Sequence, residues 1–243
     1  MARGIPLSEL TFFSKDNLPD LTFDFQSGAA FLVDKPKGWT SFDAVKYIRK
    51  AVDLRKVGHA GTLDPMATGL LIICCGKATK SIEQIQKLQK EYVAEITFGG
   101  STPSYDAETD VEKTAPYKHI TIEKVGGMLE DHFSGTVEQV PPMYSALKYG
   151  GKPLYELARE GKEVKRHARQ VTIHDTEILD FELPTLKLKI KCGKGTYIRS
   201  LAHDLAIYMD SLAYLTALER TAIGEYLNSD ALTIEELSKI ELS

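Results

Sequence analysis

GHAGTLDPMATGL, residues 58–70, is the stretch that decides how the chain is read. Two glycines, an Asp-Pro pair and a third glycine crowd an unusual amount of backbone constraint into one connecting loop. Pro65 pushes Asp64 toward extended angles, while Gly58, Gly61 and Gly69 allow tight turns and close approach by another backbone or a ligand. Such a loop is built to present Asp64. The competing reading is a well-packed turn whose aspartate caps a neighbouring helix and whose His59 is merely hydrogen-bonded.

Upstream of the loop, Ala30 to Val33 reads as a strand stopped by DKPKG at 34–38, and residues 1–28, with Pro6, Pro19 and Gly28, form an irregular lead-in. Thr40 or Ser41 caps a helix that carries Phe42, Val45, Ile48 and Val52 at helical spacing. Downstream, Gly69–Cys75 reads as a buried strand, and Ile82, Ile85 and Leu88 mark one face of a second helix. A strand starting at Tyr92 follows, alternating Tyr92, Ala94, Ile96 and Phe98. Strands are expected around 133–139, 171–181 and 186–192, and a helix over 196–209 with Ile198, Leu201, Leu205 and Tyr208 on one face. The end of the chain is at most a short acidic helix. Helices and strands mix without βα regularity, and neither repeats nor low-complexity tracts occur. The expected class is α+β, one compact body around a mixed, largely antiparallel central sheet with flanking helices.

Composition narrows the function. With 243 residues and 43% hydrophobic content, the chain can fill a core, and 30 Lys plus Arg against 34 Asp plus Glu give a formal −4 that by itself argues against a nucleic-acid partner. Distribution changes that. Residues 145–170 hold seven Lys or Arg against three Glu, a local +4 that leaves −8 elsewhere, with Tyr149 and Tyr155 interleaved and Tyr144 just ahead. Basic residues among aromatics suit phosphate contacts and stacking on loop nucleotides, although a charge run is more often a solvated face. Three cysteines, an odd number with Cys74 and Cys75 adjacent, suit a reducing compartment. No apolar run reaches the roughly 20 residues of a membrane span, and the N-terminus lacks a signal-peptide pattern, so the cytoplasm is expected. The six histidines are too scattered for a metal site.

GHAGTLDPMATG resembles the signature around the reactive aspartate of the bacterial tRNA pseudouridine-55 synthases, the TruB family. DKPKGWTS at 34–41, KEYVAEITFG at 90–99, QVPPMYSALKYGGKPLYELAREG at 139–161 and CGKGTYIRSLAHDL at 192–205 match further family segments in the right order. The resemblance implies the pseudouridine synthase catalytic fold and a uridine in the T-loop of tRNA as substrate, with no cofactor. It makes Asp64 the essential carboxylate, as nucleophile or as base, and Tyr92 the active-site tyrosine that stacks on the uracil. Arg199 becomes the arginine that pairs with the aspartate, and His59 the histidine that wedges the T-loop open. It assigns RNA contact to Lys35, Asp106, Lys148, Tyr155, Arg159, Arg166 and Tyr197. From the residues alone, Tyr92 would be core, Lys35 a solvated strand end, and Arg199 a surface residue in a helix's first turn, where the macrodipole disfavours a cation.

The expected organisation is an extension over 1–28, a catalytic domain over 29–226 with an RNA-gripping insertion at about 139–170, and a helical tail over 227–243 without the C-terminal RNA-binding domain of many relatives. A monomer is expected, with tRNA as partner and neither membrane nor metal. The match departs from the family at GGSTPSYDAETD, with Pro103 and Tyr105, and at Glu219, which precedes Arg220 where an arginine pair is common. Two other readings compete: a non-catalytic RNA-binding module or tRNA-folding chaperone, and a hydrolase. Glycosidases generally need a carboxylate pair, and the signature loop offers no second one.

Overall fold

A computed structural model describes residues 4–20 and 22–239. In chain order its elements are β1 (Phe12–Phe13), β2 (Ala29–Lys35), α1 (Ser41–Ala51), β3 (Val57–His59), β4 (Thr68–Cys75), α2 (Ile82–Lys87), β5 (Lys90–Phe98), β6 (Gly100–Ser101) and β7 (Lys113–Thr114). There follow α3 (Ile122–His132), β8 (Gly135–Gln139), β9 (Lys148–Tyr149), β10 (Lys152–Pro153), α4 (Leu154–Arg159), β11 (Arg169–Glu182), β12 (Thr185–Cys192), α5 (Ile198–Tyr208), β13 (Ala213–Ile223), β14 (Tyr226–Leu227) and α6 (Ile234–Ser238). The chain forms two compact units, one running to Tyr92 and resuming at Glu219, the other spanning Val93–Leu218. The mixture of helices with a mixed sheet is the expected α+β class.

In the first unit β4 is the central strand. It pairs antiparallel with β2 along its whole length, from Ala29↔Cys75 to Lys35↔Gly69. Its other edge is shared: β3 takes Ile73 to Cys75, antiparallel, and the end of β13 takes Thr68 and Gly69, parallel. Both β2 and β4 are buried almost throughout, which their unbroken apolar runs require. The lead-in is more ordered than expected. β1 pairs parallel with β2, Phe12 stacks on Tyr226 at 4.2 Å, and Phe13 meets Phe23, Phe25 and Phe31. Thr40 caps α1 in a reciprocal box with Asp43. Phe42, expected on the buried face, is instead 52% exposed beneath the Lys46 ammonium, because Ser41, Ala44, Val45 and Ile48 take the inner face.

The second unit holds the strands in the order β13-β5-β12-β11-β8, with β11 antiparallel to both neighbours. Strand β5 begins at Lys90, two residues before the expected start at Tyr92. Helix α5 buries Ile198, Leu201 and Leu205, but Tyr208 is 53% exposed against His132 and Phe133. Helix α3 and strand β13 were not expected. A separate small core of Met143, Leu154 and Leu157, with Tyr144, Leu147, Ala158 and Val164 around it, holds the basic insertion together.

Candidate active site

The loop joining β3 to β4 is fixed at both ends and from beneath. Ala60 donates to the Ile72 carbonyl at 2.8 Å, and Ala67 donates back to the Asp64 carbonyl at 3.1 Å, closing a turn around Pro65. The Ser41 hydroxyl, buried at the start of α1, donates to the Leu63 carbonyl at 3.0 Å and accepts from the Leu63 amide at 2.8 Å. Leu63, Met66 and Ala67 are buried, while Asp64 stays half-buried. The apolar neighbours anchor the loop and the carboxylate is what it holds out.

Two buried cations complete the clamp. Lys35, wholly buried at the end of β2, donates from Nζ to the carbonyls of Trp39 at 2.7 Å, Pro36 at 2.9 Å and Pro65 at 3.4 Å. The Gly38 amide also reaches the Pro65 carbonyl, at 2.8 Å, so the DKPKG turn and the Asp64-Pro65 turn hold each other. Arg220, on β13, is equally buried and donates from Nε to Leu70 at 2.7 Å, from Nη2 to Gly61 at 3.2 Å and from Nη1 to Thr62 at 3.4 Å. A planar fork suits three carbonyls arranged across two chain segments. Gly69 is required where these segments touch. Its φ is +97°, and a Cβ there would lie inside the Arg220 backbone.

His59 ends β3, half-buried, its Nδ1 without a hydrogen-bonding partner among the described residues. Burial, then the Arg220 charge, hold its pKa below the ordinary histidine range against a smaller opposing effect of the Gly61 backbone. The ring is therefore neutral at pH 7. Tyr92 is half-buried on β5, the last residue of the first unit.

Within the second unit, Arg199 sits in the first turn of α5, buried rather than on the surface. Its Nη1 donates to the Ser104 carbonyl at 2.9 Å and lies 3.5 Å from the Asp106 carboxylate, and Nη2 donates to the Tyr144 carbonyl at 2.7 Å. The side chains of this pair are 4% and 1% exposed. The other Asp106 oxygen accepts from the Ser104 hydroxyl at 2.5 Å and the Glu108 amide at 3.0 Å. Charge-assisted bonds of this kind overcome the macrodipole's small penalty for a cation at a helix start. Tyr105, stacked on His203 at 4.1 Å, takes a positive φ of 62° beside Asp106.

The chain as a whole has counterparts among known proteins. The model of the TruB family pseudouridylate synthase (N terminal domain) matches residues 49–198. The chain belongs to the TruB family. It is 45% identical over 218 residues to tRNA pseudouridine synthase B of Phocaeicola vulgatus, covering 87% of this chain and 92% of the relative. With tRNA pseudouridine synthase B of Bacteroides thetaiotaomicron it shares 46% over 226 residues, covering 89% and 94%. Among solved structures, a chain of a Cbf5-Nop10-Gar1 complex superposes with a TM-score of 0.67 at 27% identity; the match covers 92% of this chain and 56% of that one.

The remaining residues assigned to RNA in this TruB chain fall into two groups. Lys35 and Asp106 are buried and bonded inward, placed to support loops rather than to meet a phosphate. Lys148 and Arg159 are exposed on the insertion, with the Arg159 guanidinium 5.5 Å from the Tyr155 ring. Arg166 is less open, held by Glu163 and the Pro141 carbonyl. Tyr197 caps α5, its amide and carbonyl both bonded to the Gln139 side chain, with Arg169 5.0 Å from its ring. The part of Arg220 in the loop clamp is not legible in the sequence, where its one trace is the segment in which the family commonly carries an arginine pair.

Proposed function

We propose that this chain isomerises uridine to pseudouridine in tRNA, at position 55 of the T-loop, with Asp64 as the catalytic carboxylate. The observation that carries the reading is the clamped signature loop, in which Ser41, Lys35 and Arg220 each donate to a backbone carbonyl of the segment and so hold the turn that carries Asp64. The reaction breaks the C1′–N1 bond, turns the uracil and joins C1′ to C5; the proton lost from C5 is balanced by the one gained at N1. Nothing is added to the substrate and no redox change occurs. Asp64 acts as nucleophile at the sugar or base, or as base at the ribose. Tyr92 stacks on the detached uracil, Arg199 supplies the positive charge that favours an ionised carboxylate, and neutral His59 packs in the space that opens when the base leaves its stack. Lys148, Tyr155 and Arg159 grip the RNA backbone and loop bases.

With no helix among the described residues long and apolar enough to cross a membrane, and with three buried free cysteines, we place the protein in the cytoplasm with its tRNA. The test is pseudouridine mapping on an unmodified tRNA transcript with wild type and Asp64→Asn. Conversion of one T-loop uridine by wild type alone is expected. A wild type that binds the transcript yet converts nothing would replace the enzyme with a binding module, and release of free uracil would make it a hydrolase.

A further inference from the structure

The second unit holds a cavity of about 200 Å³ lined by His132 and Phe133 of α3 and its end, Val137, Glu138 and Gln139 of β8, and Asp204, Ile207 and Tyr208 of α5. Three features define its chemistry. The Asp204 carboxylate is recessed on α5, and no hydrogen bond or ion pair from a described residue reaches it. One turn further along the same helix stands an aromatic group: His132 stacks on Tyr208 at 4.1 Å with planes 11° apart, and Phe133 meets Tyr208 edge-on at 5.9 Å. Tyr208 and Ile207 are also half exposed, so their apolar surface is open to an occupant of the cavity.

A recessed carboxylate without a counter-charge beside a π-face is the arrangement that recognises an organic cation, by ion pairing at one end and quadrupole attraction along the stem. Desolvation lifts the Asp204 pKa to about 6, so the group is ionised at neutral pH and remains short of a positive partner. Volume decides among cations. Drug-sized ligands occupy roughly 300–1,000 Å³, and one water takes about 30 Å³. This cavity therefore suits a short alkyl chain with its head group. The apolar contribution of Phe133, Val137 and Ile207 favours a methylene stem over a hydrated metal ion.

We infer that the cavity between α3, β8 and α5 is a binding site for a primary alkylammonium group, carried by a free polyamine or by a lysine side chain. Asp204 takes the ammonium, and Tyr208 with His132 covers the stem.

Isothermal titration of the full chain with spermidine, with Nα-acetyl-lysine methylamide and with magnesium chloride tests the inference. Saturable one-site binding of an ammonium probe is expected, with a dissociation constant on the order of 1 mM or below. Asp204→Asn should weaken it at least tenfold and Tyr208→Leu about fivefold, while both variants keep wild-type circular dichroism. Tighter binding of spermidine identifies the free polyamine as the source, and tighter binding of the lysine probe a protein side chain. Unchanged binding in Asp204→Asn, absence of saturable binding by either probe, or magnesium binding as tightly as both would overturn the assignment.

Discussion

Arg220 is the residue on which the reactive loop most depends, since one guanidinium holds carbonyls on either side of the glycine turn. Arg220→Lys keeps the charge but loses the fork, removing one or two charge-assisted bonds at about 1.5–3 kcal/mol each. The expected result is a melting temperature several degrees lower and a reduced kcat on tRNA, with RNA affinity near wild type in a filter-binding assay. His59 gives a pH signature. Its folded pKa lies below the 6.5 of an ordinary histidine, so between the two values the unfolded chain binds the proton and the folded chain does not. Stability is thus complete above about pH 6.5 and declines as pH falls below it. His203, also pushed down by burial, adds to the decline. In urea titrations at pH 7.5 and 5.0, His59→Gln should lose less stability on acidification than wild type; an equal loss would remove His59 from the account. The backbone constraint on the Asp64 loop was legible at this scale because the glycines and proline that impose it are its sequence neighbours. Arg220 was not, because its partners lie about 150 positions away.

Strand β4 shows how an element carries chemistry it does not itself perform. Gly69→Ala places a methyl against the Arg220 backbone at φ +97°, and the backbone strain alone costs about 1–3 kcal/mol. A lower melting temperature with activity falling further than stability is the expected outcome, read by thermal denaturation and pseudouridine mapping below the transition. Helix α5 offers the opposite sign. Asp204 is raised to about 6 by burial, so ionisation above that pH works against folding, and Asp204→Asn should raise the melting point at pH 7.5 but not at pH 4. Elements with a helical or alternating period, or an unbroken apolar run, were readable from sequence: α1, β4, β5, β12 and α5. Two were hidden for identifiable reasons. Helix α3 carries Gly126-Gly127 in mid-helix, each costing about 1 kcal/mol of helix propensity, and only tertiary packing of Val125 and Leu129 recovers it. In β13 the buried face runs through Ala213 and Leu215, then changes phase at exposed Ala217 to Leu218, Arg220 and Ala222. Period-2 pattern matching fails across such a shift.

Over the whole sequence, the formal −4 conceals a local +4 over residues 145–170, and that asymmetry is what the proposed grip on tRNA rests on. Binding should weaken steeply with added salt. Lys148→Ala and Arg159→Ala should each reduce the slope of log K against log salt by about one, and an unchanged slope in the double variant would remove the insertion from the interface. The charge was countable in the sequence, whereas the inward use of Lys35 was not, because a strand-end lysine in a text of letters carries no sign of burial. The long separation between the signature loop and Arg220 also bears on biosynthesis. On the ribosome, Asp64 and its glycines emerge early, yet the arginine that fastens them is translated about 150 codons later. A nascent chain still short of β13 carries the Asp64 loop on the Lys35 and Ser41 ties alone, without the guanidinium fork at Gly61 and Thr62. The last of the three ties on this loop is thus made only once β13 has joined β4.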